Sequence, residues 1–180
     1  MKIIVINGAP CSGKDAFAAI CHKYITWCGN ISTVDFVKEV AVHCGWNGTK
    51  TPKDRKFLSD LKDLLTEWND VPFQKVRTEI NKLEYDAMRF HIDSDEVVCF
   101  IHCREPQEIQ KFVDRLGAKT LLLRRPDVEN NEQSNHADSQ VLNYDYDYTI
   151  VNDGTLLDLE LKAIDFLLEI GCKNLKPQRK

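Results

Sequence analysis

Apolar residues in this chain come in short, unbroken, β-branched runs rather than in strict alternation: Ile3–Ile6, Ile31–Val34, Val97–Ile101, Thr120–Leu123 and Tyr148–Val151. Runs of this kind predict strands buried on both faces, as in a parallel sheet covered by helices on its two sides. Between them the apolar positions take helical spacing, over Lys14–Trp27, Phe36–Cys44, Lys53–Trp68, Pro72–Arg89, Gln107–Leu116 and Leu156–Ile170. Strand and helix alternate, which predicts the α/β class. Gly117 and Gly171 stand just past two of the helical patterns, where left-handed caps are expected.

The stretch from about 36 to 95 is mostly helical and rich in Lys, Asp and Glu. It predicts a helical insertion over the sheet edge, too interdependent to be a separate domain, so residues 1–180 read as one domain. Polar Asp127–His136 lacks periodicity. It reads as a mobile loop or lid over about 126–140, with a solvated linker as the plainer alternative. The basic tail, 173–180, reads as a frayed end.

Composition narrows the partners. A chain of 180 residues, 43% hydrophobic and 29% charged, fits one globular domain with an ordinary core. Lys plus Arg number 24 against 28 Asp plus Glu, a net charge of −4. No general positive field gathers nucleic acid or an anionic membrane. The longest apolar stretches, about Glu96–Ile101 and Ala118–Leu123, fall far short of the roughly 20 residues that span a bilayer. The opening Met1–Asn7 has no signal-peptide pattern and reads as the first strand of a cytoplasmic protein. Seven cysteines form no C-x-x-C pair and read mostly as buried small hydrophobes. Cys99, His102, Cys103 and His91 offer zinc-type donors, but three of them share one strand end, where side chains alternate faces and cannot all converge.

The strongest chemical signal is Gly8-Ala9-Pro10-Cys11-Ser12-Gly13-Lys14-Asp15, which satisfies G-x-x-x-x-G-K directly after a predicted strand and before a predicted helix. Glycines at both ends let the backbone turn so that successive N–H groups face an anion, while the helix N-terminus adds its partial positive charge. Lys14 would then reach the terminal phosphates of a nucleotide. Asp15 replaces the Ser or Thr whose hydroxyl usually meets Mg²⁺. It reads as a metal ligand, a water-mediated one, or a residue that stabilises the helix dipole.

Further segments share an order with a known family. Ser12 to Asp15 is similar to the phosphate loop of the P-loop nucleotide kinases, most closely the phage-type deoxynucleoside monophosphate kinases and more distantly animal phosphomevalonate kinases. Val34-Asp35-Phe36-Val37-Lys38-Glu39 resembles the family's segment after the second strand, and Cys103 to Ile109, Leu116-Gly117-Ala118 and Arg125-Pro126 resemble its D-x-R, L-G-A and R-P elements. His136-Ala137-Asp138-Ser139 is similar to its lid segment, and Ile150 to Leu156 to its N-D-G turn beside the adenine. Residues about 45 to 95 match poorly. Two positions depart from the family pattern: His102 stands where it has an Asp before its Arg, and Ser139 where its lid has a Glu.

The resemblance implies a three-layer P-loop fold with a five-stranded parallel sheet, and ATP with Mg²⁺ as cofactors. Gly8, Ala9, Pro10, Cys11, Ser12, Gly13, Lys14 and Asp15 would hold the nucleotide with Asn152, Asp153 and Gly154; Lys14, Arg125 and Asp15 would be catalytic, with Asp15 on the metal. Asp35, Lys38, Arg104 and His136 would meet the acceptor. Lys53 and Arg55 read as charged helix surface, with an acceptor-lining role as the alternative. The expected activity is phosphoryl transfer from ATP to a (deoxy)nucleoside monophosphate. The alternatives are a kinase of another phosphorylated metabolite, such as phosphomevalonate, and a P-loop binding protein that has lost transfer. A nucleotide phosphate is already anionic and needs no general base, whereas an alcohol acceptor would need one, and only Asp35 offers itself. A homodimer stays open, since the sequence leaves the oligomeric state undecided.

Overall fold

A computed structural model describes residues 1–129 and 141–177. Five strands form one sheet: β1 Lys2–Asn7, β2 Trp27–Ser32, β3 Val97–His102, β4 Lys119–Arg124 and β5 Tyr148–Val151. All pairings are parallel and the spatial order is β2-β3-β1-β4-β5. The α-helices are α1 Lys14–Tyr24, α2 Asp35–His43, α3 Pro52–Asn69, α4 Val71–Arg89, α5 Pro106–Leu116, the single turn α6 Pro126–Glu129, and α7 Leu156–Glu169. The fold is a three-layer α/β fold around a five-stranded parallel sheet, as expected.

Alternate residues of each central strand supply opposite faces. Ile4 and Ile6 of β1 join Phe17, Ile20, Phe100, Leu121, Leu123, Phe166 and Leu167 beneath α1 and α7. Val5, one residue out of phase, joins Cys99, Ile101, Val76, Ile80, Ile109 and Phe112 beneath α4 and α5. The helix after β1 therefore lies on one face and the helix after β3 on the other. In such a sheet the crevice for a ligand opens between those two strands, beyond their C-terminal ends.

The second strand was expected at Ile31–Val34 and is found at Trp27–Ser32, while α1, expected to run to Trp27, stops at Tyr24. Ile25 turns extended, at φ −112° and ψ 124°, and its N–H closes onto the Cys21 carbonyl. The residues that follow then pair with β3 in register from Trp27↔Val97 to Ser32↔His102. That pairing is non-local and leaves no periodic trace in an edge strand of intermediate burial. A Cβ on Gly29 would stand 2.7 Å from the Leu83 side chain, so this strand is packed against α4 by the absence of a side chain.

The insertion is the helical lobe α2–α4. α3 begins with a capping box between Thr51 and Asp54, and one residue, Asp70 in the left-handed conformation at φ 50°, separates it from α4. Lys111 and Arg115 of α5 hold the Asp70 carboxylate at 2.6 and 3.2 Å, tying the elbow of the lobe to the body. Gly117 adopts φ 63° as the left-handed cap of α5, and Gly171, at φ 85°, follows the end of α7.

Phe17 is completely buried, with its ring edge-on to Phe100 at 6.3 Å and to Phe166 at 5.6 Å between centroids. Phe17→Ala is expected to lower unfolding free energy by about 3–5 kcal/mol with an unchanged m-value, read by urea denaturation.

Candidate functional site

The backbone from Asn7 to Lys14 wraps a concave turn. A Cβ on Gly8, at φ 152°, would stand 2.2 Å from the Leu123 carbonyl oxygen, and one on Gly13, at φ 99°, would stand 2.6 Å from Asn152 Nδ2. Only glycine lets the loop lie this close to β4 and to the turn after β5. Gly13 is also the N-cap of α1 and supplies no side-chain cap, so the first-turn amides of that helix are not capped by it. Cys11 adds a left-handed residue at φ 62°. This is the cradle geometry that suits a phosphate chain.

Lys14 folds back over the loop. Its ammonium donates to the carbonyls of Gly8 at 2.7 Å and Ala9 at 2.8 Å and to Ser12 Oγ at 3.4 Å. Asn152 braces the loop from behind by donating to the Ser12 carbonyl at 2.9 Å. Asp153 accepts from Lys162 at 2.7 Å, and Gly154 leaves room for the Asp158 carboxylate of the box that caps α7. At the front of the loop, buried Asn7 accepts from the Gly8 N–H at 2.8 Å and donates to the Arg104 carbonyl at 3.2 Å and to Tyr146 Oη at 2.7 Å. The Tyr146 hydroxyl donates onward to the Val141 carbonyl, and burial pushes its pKa up to about 12. Asn7 thus fixes the start of the phosphate loop to the loop that carries Arg104, a junction with no motif to announce it.

Beside the loop lies a cleft of about 630 Å³ beyond the C-terminal ends of β1, β2 and β3. Pro10, Cys11, Lys14 and Asp15 form one wall; Asp35 and Lys38 from α2, Lys50, Arg55 and Ser59 at the start of the lobe, and Arg104 after β3 form the others. The structure therefore gathers Lys14, Asp15, Asp35, Lys38 and Arg104 in one place, as the sequence led us to expect. It also places Arg55 there, the lining role that stood as the alternative to a plain charged surface. Lys53 is not among the lining residues.

Other candidates fall elsewhere. Arg125 follows β4, exposed, and is not among the residues that line the cleft. His136 and Ser139 lie outside the described residues. Asp35 is engaged locally: it accepts from the Ser32 N–H at 2.9 Å and pairs with Lys38 at 3.4 Å, closing the turn into α2.

His102 is the unusual member of the cleft. Its Nε2 lies 2.6 Å from Asn30 Oδ1, and its Nδ1 lies 3.9 Å from a carboxylate oxygen of Asp15, which is 97% exposed. Burial holds the imidazole below the ordinary histidine range, opposed by the nearby Asp15 charge. The expected metal role of Asp15 therefore rests on a fully solvated carboxylate in the first turn of α1, free to reorient toward a cation. Among the described residues no cluster of three His, Cys, Asp or Glu side chains forms a metal cage.

The cleft floor holds a group that composition did not reveal. Lys62, 10% exposed, reaches from α3 to Glu108 at 2.6 Å and Glu105 at 3.0 Å, and Cys103 Sγ lies 3.3 Å from Glu108. Lys62 thus holds both acids at the base of α5. Burial by itself would lower the lysine pKa; the Glu108 and Glu105 carboxylates outweigh it and hold the value above the ordinary one.

No protein-family profile and no curated protein matches the chain. Solved structures similar to it include a dephospho-CoA kinase from Campylobacter jejuni, at 13% identity over 94% of this chain and 97% of that one, with a TM-score of 0.49. A shikimate kinase from Aquifex aeolicus is similar at 12% identity over 93% and 96%, with a TM-score of 0.46. A shikimate kinase from Bacteroides thetaiotaomicron is similar at 18% identity over 93% and 98%, with a TM-score of 0.42. The fold assignment stands on the sheet order and loop geometry of this chain itself.

Lys62→Met is expected to cost about 3 kcal/mol, because it leaves two carboxylates uncompensated at the base of the lobe. A lysine with a raised folded-state pKa contributes stability that is complete below the unfolded value and lost as pH rises through the folded one. The deficit of Lys62→Met relative to the parent should therefore be present at neutral pH and shrink only above pH of about 10.4, measured by urea denaturation across pH.

Proposed function

We propose that the chain is an ATP-dependent phosphotransferase acting on a small phosphorylated acceptor, a (deoxy)nucleoside monophosphate, with the diphosphate and ADP as products. One observation carries this reading: the phosphate loop and Lys14 open into a cleft whose other walls present Lys38, Lys50, Arg55 and Arg104. Phosphoryl transfer needs positioning and neutralisation of charge on both the donor and the acceptor side, and little else from the protein.

When bound, ATP with Mg²⁺ supplies the phosphoryl group and part of the neutralising charge. The chain's own residues do the rest. The backbone of Gly8 to Gly13 cradles the donor phosphates, and Lys14 exchanges loop carbonyls for phosphate oxygens. Asn152 keeps the loop in shape from behind. Arg104 faces the acceptor phosphate, where a guanidinium can grip two oxygens at once, and Lys38 and Arg55 add charge from the lobe. An acceptor phosphate oxygen attacks the terminal phosphorus as the bridging P–O bond to ADP breaks, so no proton has to be removed from the nucleophile. That Asp35 is already occupied by Ser32 and Lys38 favours an acceptor of this kind over an alcohol, which would require a base.

A second reading has its own observation. His102, its charged form disfavoured by burial and its ring within 2.6 Å of Asn30 Oδ1, occupies the position where the resembling family has an acid, which suits a nucleotide-binding protein without transfer. The two readings separate on turnover.

Lys14→Ala is expected to abolish the rise in melting temperature caused by ATP and Mg²⁺; an unchanged rise would overturn the phosphate-loop assignment. Against a panel of ribo- and deoxynucleoside monophosphates with phosphomevalonate included, ADP should form with one acceptor class. Stabilisation by ATP with no turnover on any acceptor would instead establish the binding protein. Arg104→Ala should raise the acceptor KM or lower kcat by about 10- to 100-fold while ATP stabilisation survives.

A further inference from the structure

At the end of β1 one buried amide joins the phosphate loop to two segments distant in sequence. Asn7 is 1% exposed. Its Oδ1 accepts from the Gly8 N–H at 2.8 Å, and its Nδ2 donates to the Arg104 carbonyl at 3.2 Å and to Tyr146 Oη at 2.7 Å. An asparagine amide has two donor hydrogens and one acceptor oxygen, and here each of them is engaged. Tyr146 carries the connection on to the Val141 carbonyl at 2.8 Å. Burial pushes its pKa up to about 12, so the hydroxyl keeps the proton it donates. Its ring stands edge-on to Tyr144 at 5.1 Å between centroids.

The position of this junction gives it a consequence for the cleft. Both loops have left the sheet there: β1 ends at Asn7 and β3 at His102, so Arg104 stands two residues past its strand. The phosphate loop is fixed on its other sides. Gly8 lies so close to β4 that a Cβ would stand 2.2 Å from the Leu123 carbonyl oxygen, and Asn152 holds the Ser12 carbonyl at 2.9 Å. The Asn7 amide is the bridge across which the backbone of Arg104 keeps its distance from that fixed loop. Neither Asn7 nor Tyr146 lines the cleft itself.

We propose that Asn7 and Tyr146 are positioning residues for phosphoryl transfer, which hold Arg104 in register with the phosphate loop so that donor and acceptor phosphates stand in line. The inference rests on the acceptor role given to Arg104 above. In-line transfer tolerates little error, since a displacement of about 1 Å costs about 100-fold in rate.

A double-variant cycle tests it. Tyr146→Phe removes only the hydroxyl and keeps the ring against Tyr144. Asn7→Ser keeps a short acceptor for the Gly8 N–H but falls short of Arg104 and Tyr146. With the acceptor that gives turnover, kcat should fall about 10-fold in Tyr146→Phe and about 100-fold in Asn7→Ser, while the KM for ATP holds. On an Arg104→Ala background Tyr146→Phe should cost nothing more, because a residue that acts through Arg104 then has nothing left to position.

A probe that needs no turnover separates this inference from the proposed activity. Dinucleoside pentaphosphates, with adenosine at one end and each nucleoside of the panel at the other, must meet the loop and Arg104 with one phosphate chain. In calorimetric titrations with Mg²⁺, the best of them should bind the parent about tenfold or more tighter than ATP and lose about tenfold in Tyr146→Phe. Added to Arg104→Ala, Tyr146→Phe should again cost nothing more. Absence of turnover on every acceptor overturns the proposed activity alone, and the pentaphosphate cycle still decides the positioning role. That role is overturned by losses that multiply in the double variant, by an unchanged pentaphosphate affinity in Tyr146→Phe, or by a parent that binds no pentaphosphate more tightly than ATP.

Discussion

The structure depends on one constraint: β1 is hydrogen-bonded along both edges, to β3 and β4, and buried on both faces. A strand in that position has no surface of its own to offer water. Its backbone groups must be paired and its side chains covered above and below, which requires helices on both sides of the sheet. Where β1 ends, that requirement stops abruptly. Asn7 is the last residue held in the ladder, and its side chain satisfies the Gly8 N–H at the moment the backbone turns away. The backbone that follows leaves the ladder and turns into the loop between Gly8 and Gly13. The cleft exists because the loop after β1 and the loop after β3 leave toward opposite faces and part the chain between them.

Two kinds of charge occupy that opening, and their surroundings separate their roles. Lys62 is deep, held by Glu105 and Glu108, and its charge is spent on docking the helical lobe. Breaking such a pair costs more than forming it contributed, because the remaining carboxylates stay at the cleft floor without a cation. Arg104, Lys38 and Arg55 line the same cleft, Lys38 paired with Asp35 at 3.4 Å and Arg55 donating to the Lys50 carbonyl at 3.3 Å. The lobe therefore supplies cations to the cleft.

His102 sets the electrostatics beside the loop. Burial disfavours the charged form of the His102 imidazole, which carries no negative charge toward a cation, and the cleft carboxylates nearest the loop are the solvated Asp15 and the locally bonded Asp35. A carboxylate in water holds a cation less firmly than one fixed by its surroundings, but it can reach more positions.

Much of the architecture is local in origin and was legible in the sequence. The five β-branched runs, the helical spacings between them, the glycine after α5 and the phosphate loop between a strand and a helix all follow from contacts within a few residues. Lys14, Asp15, Asp35, Lys38 and Arg104 could be named because motif spacing ties them to strand ends. The position of β2 was misread because an edge strand with Trp27, Cys28 and Gly29 has no period of its own, and only pairing with β3 decides where it begins. Lys62 and Asn7 were missed as site-building residues for the same reason: their side chains bond residues 43 and 97 positions away in sequence. Arg55 was read as charged surface, with a lining role as the alternative, because which of the two holds depends on how α3 packs. By itself the sequence determined most of the helices and strands and the glycine-bounded loop between β1 and α1, because those depend on backbone sterics and short-range spacing. The tertiary structure alone decided where β2 begins, the strand order and the wall of cations facing the loop, because each depends on which distant surfaces exclude water from one another.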